Sequence, residues 1–307
     1  MKTSFPSAAE TGRRGIHAPS RKAALQRFFS LALLWVGFAS AAPLKIVAAE
    51  NFYGDVARQL GGANVSVSSV LSNPNQDPHL FEASPSTARA ISGADIVVYS
   101  GIDYDPWMDK LLSASRDTGR KVLVVARLLG RKVGDNPHLW YDPATMPVYA
   151  KALHTELVKR DPGHKGQYDA NLARFLASMK TVSSKVTAIR ARYAGTSVTA
   201  SEPVFGPMSD ALGFRMRSLA FQMAVMNESE PSASQTAAID RDLRTGAVRL
   251  FFYNTQVSDP LTERLRKLAR QGGVAVVGVT ETTPPGQGYV SWMLAQLRSI
   301  ETALAKK

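Results

Sequence analysis

Residues 162–193 read PGHKGQYDANLARFLASMKTVSSKVTAIRARY, and this stretch decides the fold. Its large apolar residues recur every three or four positions from Tyr168 to Tyr193, which is the spacing of a helix with one buried face. No proline or glycine occurs between Gly166 and Gly195, where a glycine is a typical helix stop. At 1.5 Å per residue the helix would be roughly 45 Å long. We therefore expect a rigid strut that runs along two separate parts of the protein.

Apolar, β-branched runs alternate with helical patterns on both sides of this strut. The runs before it are LKIVAAE (44–50), VSVSSVL (65–71), DIVVYSG (95–101) and KVLVVARLL (121–129), and those after it are TSVTASE (196–202), FRMRSLA (214–220), VRLFFYN (248–254) and GVAVVGVTE (273–281). Continuous strands separated by helices are typical of parallel sheets covered on both faces. The sequence therefore predicts an α/β fold of two lobes, each a mostly parallel four-stranded sheet flanked by helices, joined by one long rigid helix. The predicted boundaries are 43–161 for the N-terminal lobe, 162–194 for the linking helix and 195–307 for the C-terminal lobe.

Residues 1–42 are predicted to be a signal peptide that is removed. Basic residues precede an apolar stretch, FFSLALLWVGFASAAP (28–43), which ends in small residues as cleavage sites do. The chain contains no cysteine, which excludes disulfides, zinc–thiolate clusters and the thiol that carries a bacterial lipid anchor. We therefore expect a periplasmic protein, exported by a cleavable signal peptide and not lipid-anchored.

The chain is basic, but its charge pattern does not indicate a nucleic-acid surface. The formal charge falls from +12 to +7 without residues 1–41, which carry six Lys/Arg and one Glu. The remaining basic residues are scattered along helices such as LTERLRKLARQ (261–271), without basic tracts or interleaved aromatics. The pattern favours a solvated basic face and no nucleic-acid partner.

Two of the five histidines occupy near-identical frames, DPHLF at 77–81 and NPHLW at 136–140. The proline before each histidine holds the residue that precedes it in an extended conformation. His79 and His138 are therefore presented from rigid loops, and imidazole is a common ligand for transition metals.

Ligands of open parallel sheets bind at the carboxyl ends of the strands. His79 and His138 follow strand-like runs of the first half, and Glu202 and Glu281 end strand-like runs of the second half. A carboxylate that emerges from an apolar strand is costly to bury without a cation. We therefore predict a four-ligand metal site in the cleft between the lobes, formed by His79, His138, Glu202 and Glu281.

Other polar residues near these positions have more than one interpretation. Asp142, four residues beyond His138, either accepts a hydrogen bond from the imidazole ring or caps the helix opened by Pro143. The sequence leaves both roles open. His154 and His164 lie in or next to helical segments, and we expect them to be solvated.

The segments just described resemble the periplasmic metal-binding proteins of ABC transporters for zinc and manganese, in which one rigid helix joins two lobes. The resemblance covers nearly all of the mature chain and rests on four segments in order: DPHLFEASPSTARAISGADIVVYSG (77–101), NPHLWYDP (136–143), TASEPVFGPMSDALGF (199–214) and YNTQVSDPLTERLRKLARQGGVAVVGVTETTPPGQGYVSWM (253–293). Two features depart from the family pattern. Glu281 stands where an aspartate is more usual, and the loop GRKVGD (130–135) lacks the histidine-rich insertion of zinc-specific members.

The resemblance implies a solute-binding protein, not an enzyme, that captures Zn²⁺ or Mn²⁺ and delivers it to a membrane permease driven by a cytoplasmic ATPase. No organic cofactor is implied, and we expect a monomer. Two carboxylates favour Mn²⁺ as the cargo, whereas Zn²⁺ lies above Mn²⁺ in intrinsic affinity, and zinc is slightly favoured. The alternative is a metal-dependent hydrolase in which His79, His138 and Glu202 hold zinc and Glu281 is the general base.

Overall fold

The computed structural model describes residues 42–73, 81–115, 117 and 119–306. The predicted signal peptide lies outside these residues, apart from Ala42. Within the described ranges the strands form two four-stranded sheets in which every neighbouring pair is parallel. None of the helices in these ranges is both long enough and apolar enough to cross a membrane.

The first sheet precedes the long helix and has the strand order β2-β1-β3-β4. Its strands are β1 (Leu44–Glu50), β2 (Val65–Leu71), β3 (Ile96–Tyr99) and β4 (Lys121–Val124). Its helices are α1 (Asn51–Gly61), α2 (Pro85–Ser92), α3 (Pro106–Ala114), α4 (Val125–Leu128) and α5 (Thr145–Arg160). The chain leaves β1 towards one side of the sheet and continues from β3 towards the other. The carboxyl ends of β1 and β3 therefore flank the crevice in which sheets of this kind bind ligands.

The predicted strut is the helix α6, which runs from Lys165 to Tyr193 after a 3-10 turn at Pro162–His164. Its 29 residues extend over about 44 Å at the rise of an α-helix. The hydrophobic residues on its buried face are those of the predicted apolar stripe: Tyr168, Phe175, Met179, Val182, Val186 and Ile189.

Side chains of α6 contact both halves of the molecule. Asn171 Nδ2 donates to the carbonyl oxygen of Leu60 in α1 at 2.8 Å. Two turns before the end of the helix, Lys185 pairs with Glu301 of the C-terminal helix. The helix therefore braces the chain before it and the chain after it, as a connecting strut requires.

The second sheet follows α6 and repeats the order of the first sheet, as β6-β5-β7-β8. Its strands are β5 (Ser197–Ala200), β6 (Arg215–Met216), β7 (Leu250–Asn254) and β8 (Ala275–Val279). Its helices are α7 (Gly206–Ala211), α8 (Leu219–Met226), α9 (Ala233–Arg244), α10 (Pro260–Gln271) and α11 (Tyr289–Ala305). The predicted α/β class, with two parallel four-stranded sheets and one long helix, is confirmed within the described residues.

Buried hydrophobic side chains of both halves form a common core. The largest cluster contains Ile46 and Val98 of the first sheet, Phe252 of the second sheet and Trp292 of α11. Smaller clusters cover the outer face of each sheet. Residues 42–307 form one compact unit, so the predicted lobe boundaries at 161 and 194 stay a prediction.

Two predicted strands differ from the observed ones. The run 121–129 is a strand only as far as Val124 and then turns into α4, where Ala126 N donates to Ser100 O at 2.9 Å. The run 214–220 contributes only the short edge strand β6, because Ser218 has a φ of 57° and α8 begins directly after it. Apolar periodicity alone does not separate a short buried strand from a short buried helix.

Candidate metal centre

Three of the four predicted ligands lie in the described part of the chain, and His79 lies outside it. His138, Glu202 and Glu281 are buried, with exposed fractions of 0%, 6% and 0%. His138 begins the 3-10 turn Leu139–Tyr141, Glu202 follows β5, and Glu281 follows β8. The two carboxylates therefore lie just beyond the carboxyl ends of second-sheet strands, as ligand-binding side chains of parallel sheets do.

Asn136 sets the tautomer of His138. Asn136 Oδ1 accepts hydrogen bonds from the backbone N–H of His138 at 3.0 Å and from its ring Nδ1 at 2.8 Å. Since the backbone N–H is always a donor, the atom that it contacts is the amide oxygen, and Nδ1 carries a proton. In the neutral ring the lone pair is then on Nε2, which is the ring atom that would bind a metal ion.

His138 and Glu281 face each other inside the protein. Nε2 of His138 lies 3.4 Å from Oε2 of Glu281. A lone pair and a carboxylate oxygen at this separation repel each other in a buried site, unless a cation lies with them. The pair therefore forms a site for either a proton or a metal ion.

The Glu281 carboxylate is oriented by side chains from the end of β7. Asn254 Nδ2 donates to Glu281 Oε1 at 2.6 Å, which leaves Oε2 directed towards His138. Gln256 Oε1 accepts from the backbone N–H groups of Glu281 at 2.5 Å and of Thr282 at 3.2 Å. Partners that fix a carboxylate in this way are typical of a binding site prepared in advance.

Tyr104 contributes a phenol to the same site from the first half. It follows three consecutive residues with positive φ, Gly101 (79°), Ile102 (47°) and Asp103 (65°). Burial raises the pKa of Tyr104 well above its usual range, and the charge of Glu281 and a hydrogen bond to that carboxylate raise it further. The neutral phenol therefore donates to Glu281. The strain of two non-glycine residues at positive φ is typical of functional sites.

A second pair of acids lies next to Tyr104: Glu50 ends β1, and Asp105 directly precedes α3. Both side chains are buried. Asp105 accepts from the backbone N–H of Ser100 at 2.7 Å and of Gly101 at 2.8 Å. Burial raises the pKa of Asp105 to about 6. Burial and the charge of Asp105 raise the pKa of Glu50 well above its usual range. Both buried acids therefore hold a proton more tightly than exposed carboxyl groups do.

Glu202 does not act as a helix cap within the described residues, since its side chain accepts no capping hydrogen bond from the turn Pro203–Phe205. Among the residues that the structure describes, no group of three or more His, Asp or Glu side chains is arranged to hold a metal ion. The four-ligand assignment therefore stays a prediction, with His138 and Glu281 brought together and His79 outside the described ranges.

The two open roles of Asp142 are decided by its contacts. Asp142 Oδ1 accepts from the backbone N–H of Ala144 at 2.9 Å, and Asp142 therefore caps the turn before α5. The residue that holds the imidazole of His138 is Asn136. His154 pairs with Asp169 at 2.7 Å and His164 with Asp161 at 2.7 Å, both away from the candidate site.

Sequence reasoning missed Asn136, Tyr104, Asn254 and Gln256. Asn136 stands in the NPHLW frame that identified His138, and the asparagine is itself a signal. Asn254 ends the strand-like run 248–254, at the same kind of position as Glu202. Tyr104 carried no signal in the sequence, because its place depends on the backbone of residues 101–103.

Comparisons with known proteins identify a family and several relatives. The model of one protein family, described as ZnuA, zinc-uptake complex component A, periplasmic, matches residues 46–303. The chain is 23% identical over 286 residues to the iron ABC transporter substrate-binding lipoprotein MtsA of Streptococcus pyogenes serotype M1, covering 86% of this chain and 89% of MtsA. It is 24% identical over 286 residues to the manganese ABC transporter substrate-binding lipoprotein PsaA of Streptococcus anginosus, covering 86% of this chain and 90% of PsaA.

The fold is similar to that of solved metal-binding proteins. The periplasmic zinc-binding protein TroA from Treponema pallidum superposes with a TM-score of 0.72 at 20% identity, covering 86% of this chain and 100% of TroA. At this level of identity the likeness shows the fold alone. It is the fold predicted from the strut and the two sets of strands.

The names of the relatives correct one expectation. MtsA and PsaA are named lipoproteins, which are lipid-anchored, and this contradicts the predicted location of a protein that is not lipid-anchored. That prediction rested on the absence of cysteine, which concerns only lipid attachment through a thiol.

Proposed function

Since the chain belongs to the ZnuA family of periplasmic zinc-uptake components, we propose that it captures a divalent transition metal ion and delivers it to an ABC permease for import. The proposed ligands are His79, His138, Glu202 and Glu281. The cargo is the substrate of transport and not a resident cofactor, and the proposal includes no organic cofactor.

The observation that carries the proposal is the contact of His138 with Glu281. Two donor atoms bound to one tetrahedral zinc ion at 2.0–2.1 Å are separated by about 3.3–3.4 Å. The separation of Nε2 and Oε2 is 3.4 Å. The two atoms are therefore spaced as neighbouring ligands of one ion, and the protonated Nδ1 leaves Nε2 as the coordinating nitrogen.

We propose zinc as the cargo, with manganese as the second candidate. Two imidazoles and two carboxylates form a harder donor set than three imidazoles, and such a set accepts both ions. Zinc has the higher intrinsic affinity for sites of this kind. The separation of His138 from Glu281 fits tetrahedral coordination, which zinc adopts in most protein sites.

Capture is proposed to couple the two halves of the molecule. His79 and His138 come from the chain before α6, and Glu202 and Glu281 come from the chain after it. A metal ion that needs ligands from both halves favours the arrangement in which the halves are closed. Binding also displaces protons from ligands that are protonated, because a metal ion competes with protons for the same lone pairs.

The proposed partners are a membrane permease and its cytoplasmic ATPase, and we propose that the protein acts as a monomer. We also infer that it is not an enzyme. The family and the relatives reported above are components of metal transport, and the alternative of a metal-dependent hydrolase is not supported. Within the proposal, Glu281 is a ligand and not a general base.

Titration calorimetry of the metal-free protein tests the function. We expect one equivalent of Zn²⁺ to bind, and Mn²⁺ to bind at the same site more weakly, so that added Zn²⁺ displaces it. A folded protein that takes up neither ion would overturn the proposal. Tight binding of Mn²⁺ that Zn²⁺ does not displace would keep the function and reverse the choice of cargo. Hydrolysis of model esters by the zinc-loaded protein, lost in Glu281→Gln, would restore the hydrolase alternative.

A further inference from the structure

Asn136 contacts both halves of the molecule with one amide group. Its Oδ1 accepts from the backbone N–H and the ring Nδ1 of His138, at 3.0 and 2.8 Å. Its Nδ2 donates to the carbonyl oxygen of Pro203 at 2.7 Å. Pro203 directly follows Glu202, so the amide joins the first-half segment that carries His138 to the second-half segment that carries Glu202.

The orientation of this amide is determined from both ends. The backbone N–H of His138 is a donor and requires the oxygen, whereas the carbonyl of Pro203 is an acceptor and requires the nitrogen. A reversed amide would place two donors together and two acceptors together. The bridge to Pro203 and the tautomer of His138 are therefore coupled properties of one side chain.

The chain beyond Pro203 leaves space for this side chain. A Cβ atom at Gly206 would lie 2.6 Å from Asn136 Nδ2, closer than real Cβ contacts. Gly206 is the first residue of α7, so the missing side chain lets that helix approach the amide. The second half is thus shaped to receive Asn136.

The Glu281 segment is held differently. Tyr141 Oη donates to Thr280 O at 2.7 Å. Asn51 binds the backbone of Thr283. First-half side chains therefore hold residues on both sides of Glu281, while Gln256 and Asn254 hold it from the second half. Asn136 contacts the segment that carries Glu202, through the carbonyl oxygen of Pro203.

We propose that Asn136 is a positioning residue with two linked roles, in which one amide orients His138 for the metal ion and latches the Glu202 segment against the first half. The inference rests on the proposed function, since His138 and Glu202 are the proposed ligands. Opening at the Glu202 segment removes the Asn136 bridge, whereas Glu281 stays attached to the first half. The Asn136 bridge therefore helps to keep the Glu202 side of the site closed.

Two variants separate the two roles. Asn136→Asp keeps an oxygen that accepts from both His138 groups, so it keeps the orientation of the His138 ring. It places a carboxylate against the Pro203 carbonyl, so it loses the hydrogen bond that holds the Glu202 segment. Asn136→Ala loses both. If orientation were the whole role, Asn136→Asp would hold the metal ion at least as tightly as the wild type, because a carboxylate partner raises the basicity of a ligating histidine. Asn171→Ala is the matched control, since it removes another amide-to-carbonyl hydrogen bond away from the site.

The first measurement uses the metal-free protein and ¹⁵N NMR of the His138 ring. We expect a single tautomer with the proton on Nδ1 in the wild type, in Asn136→Asp and in Asn171→Ala, and a mixture in Asn136→Ala. A single Nδ1–H tautomer in Asn136→Ala would overturn the orienting role. This readout does not need a bound ion, so it remains decisive if the proposed function is wrong.

The second measurement follows the latch. The chain contains no cysteine, so spin labels at Ala114→Cys in α3 and Ala237→Cys in α9, both exposed, report the distance between the halves without a background signal. In Asn136→Asp we expect a longer distance in the metal-free protein and metal release about 10-fold faster, the effect of losing the hydrogen bond that holds the Glu202 segment. Wild-type distance and release rate in Asn136→Asp would overturn the latch.

Gly206→Ala provides a second test that leaves Asn136 itself in place. The added Cβ would displace the amide nitrogen, and we expect the same longer distance with faster release. An unchanged distance distribution in both Gly206→Ala and Asn136→Asp would contradict the proposal even if each variant folds normally.

Discussion

The side chain of Asn51 binds both backbone groups of Thr283. The N–H of Thr283 donates to Asn51 Oδ1 at 2.9 Å, and Asn51 Nδ2 donates to Thr283 O at 2.9 Å. Asn51 begins α1 in the first half, and Thr283 lies two residues beyond Glu281 in the second half. The loop that carries one candidate ligand is therefore attached to the opposite half of the molecule.

Asn51→Ala is expected to weaken metal binding without removing a ligand. Losing both hydrogen bonds leaves buried backbone groups of Thr283 without these partners, which costs about 1–3 kcal/mol. We expect metal affinity to fall about tenfold in a calorimetric titration, an effect of the size seen when a partner of a ligand is lost. Gln59→Ala is the control, because Gln59 is an exposed amide on the same helix that binds Asp55 instead. Equal affinities in the two variants would show that the attachment of this loop does not affect the site.

His138→Ala should abolish tight metal binding. Removing one of the groups that pairs with a buried charge, here the metal ion, costs about 2–5 kcal/mol, so we expect affinity to fall at least about 30-fold. His154→Ala is the matched control, since His154 also pairs with a carboxylate, at 2.7 Å, but lies away from the site. We expect His79→Ala to behave like His138→Ala. Wild-type affinity in either variant would show that the ligand assignment is wrong.

Glu281→Ala is expected to weaken binding less than His138→Ala. The carboxylate contributes charge, but His79, His138 and Glu202 remain as ligands. Binding isotherms of the two variants at the same pH give the comparison. If Glu281→Ala leaves affinity unchanged, the site has three protein ligands and Glu281 serves only as a partner of Tyr104 and His138.

Glu50→Gln should remove a dependence of stability on pH. The pKa values of Glu50 and Asp105 are raised in the folded protein. The stability that their protonation contributes is therefore complete below the unfolded values and is lost as pH rises. For Asp105 this loss extends from about pH 4 to about pH 6, and for Glu50 it continues above the usual range of a glutamate. A glutamine cannot ionise, so we expect the variant to lose less stability as pH rises.

Urea denaturation of the wild type and of Glu50→Gln between pH 4 and pH 9 measures this difference. Glu301→Gln is a control of opposite sign, since Lys185 holds the pKa of Glu301 below its usual range and that stabilisation is lost as pH falls. Parallel stability curves for the wild type and Glu50→Gln would show that ionisation of Glu50 does not contribute to the pH dependence of stability.

The sequence predicts the strut and the sheets because their signals are local. The stripe from Tyr168 to Tyr193 reports one buried face, and the same residues line the buried side of α6. The prediction of a strand over 214–220 was wrong. The strand β6 ends early because Ser218 has a left-handed backbone, and the pattern of hydrophobic residues does not encode that conformation.

The candidate site could be predicted in part. The sequence marks His138 by its NPHLW frame and Glu281 by its place at the end of a strand-like run. Their side chains, one from each half, lie 3.4 Å apart. The bridge from Asn136 to Pro203 could not be found, because those residues are 67 positions apart and meet only after both halves fold and α6 sets their spacing. The role of a residue that orients a ligand depends on tertiary contacts, and it is therefore harder to predict from the sequence than the ligand itself.

The common core has a consequence for how the chain unfolds. Because side chains of both sheets and of α11 belong to one buried cluster, neither half can lose its structure without exposing apolar surface of the other. Heat or urea should therefore unfold the described part of the chain in a single cooperative transition, with equal calorimetric and van't Hoff enthalpies. Either half expressed alone would expose the apolar side chains that the other half normally covers, and it would be prone to aggregate.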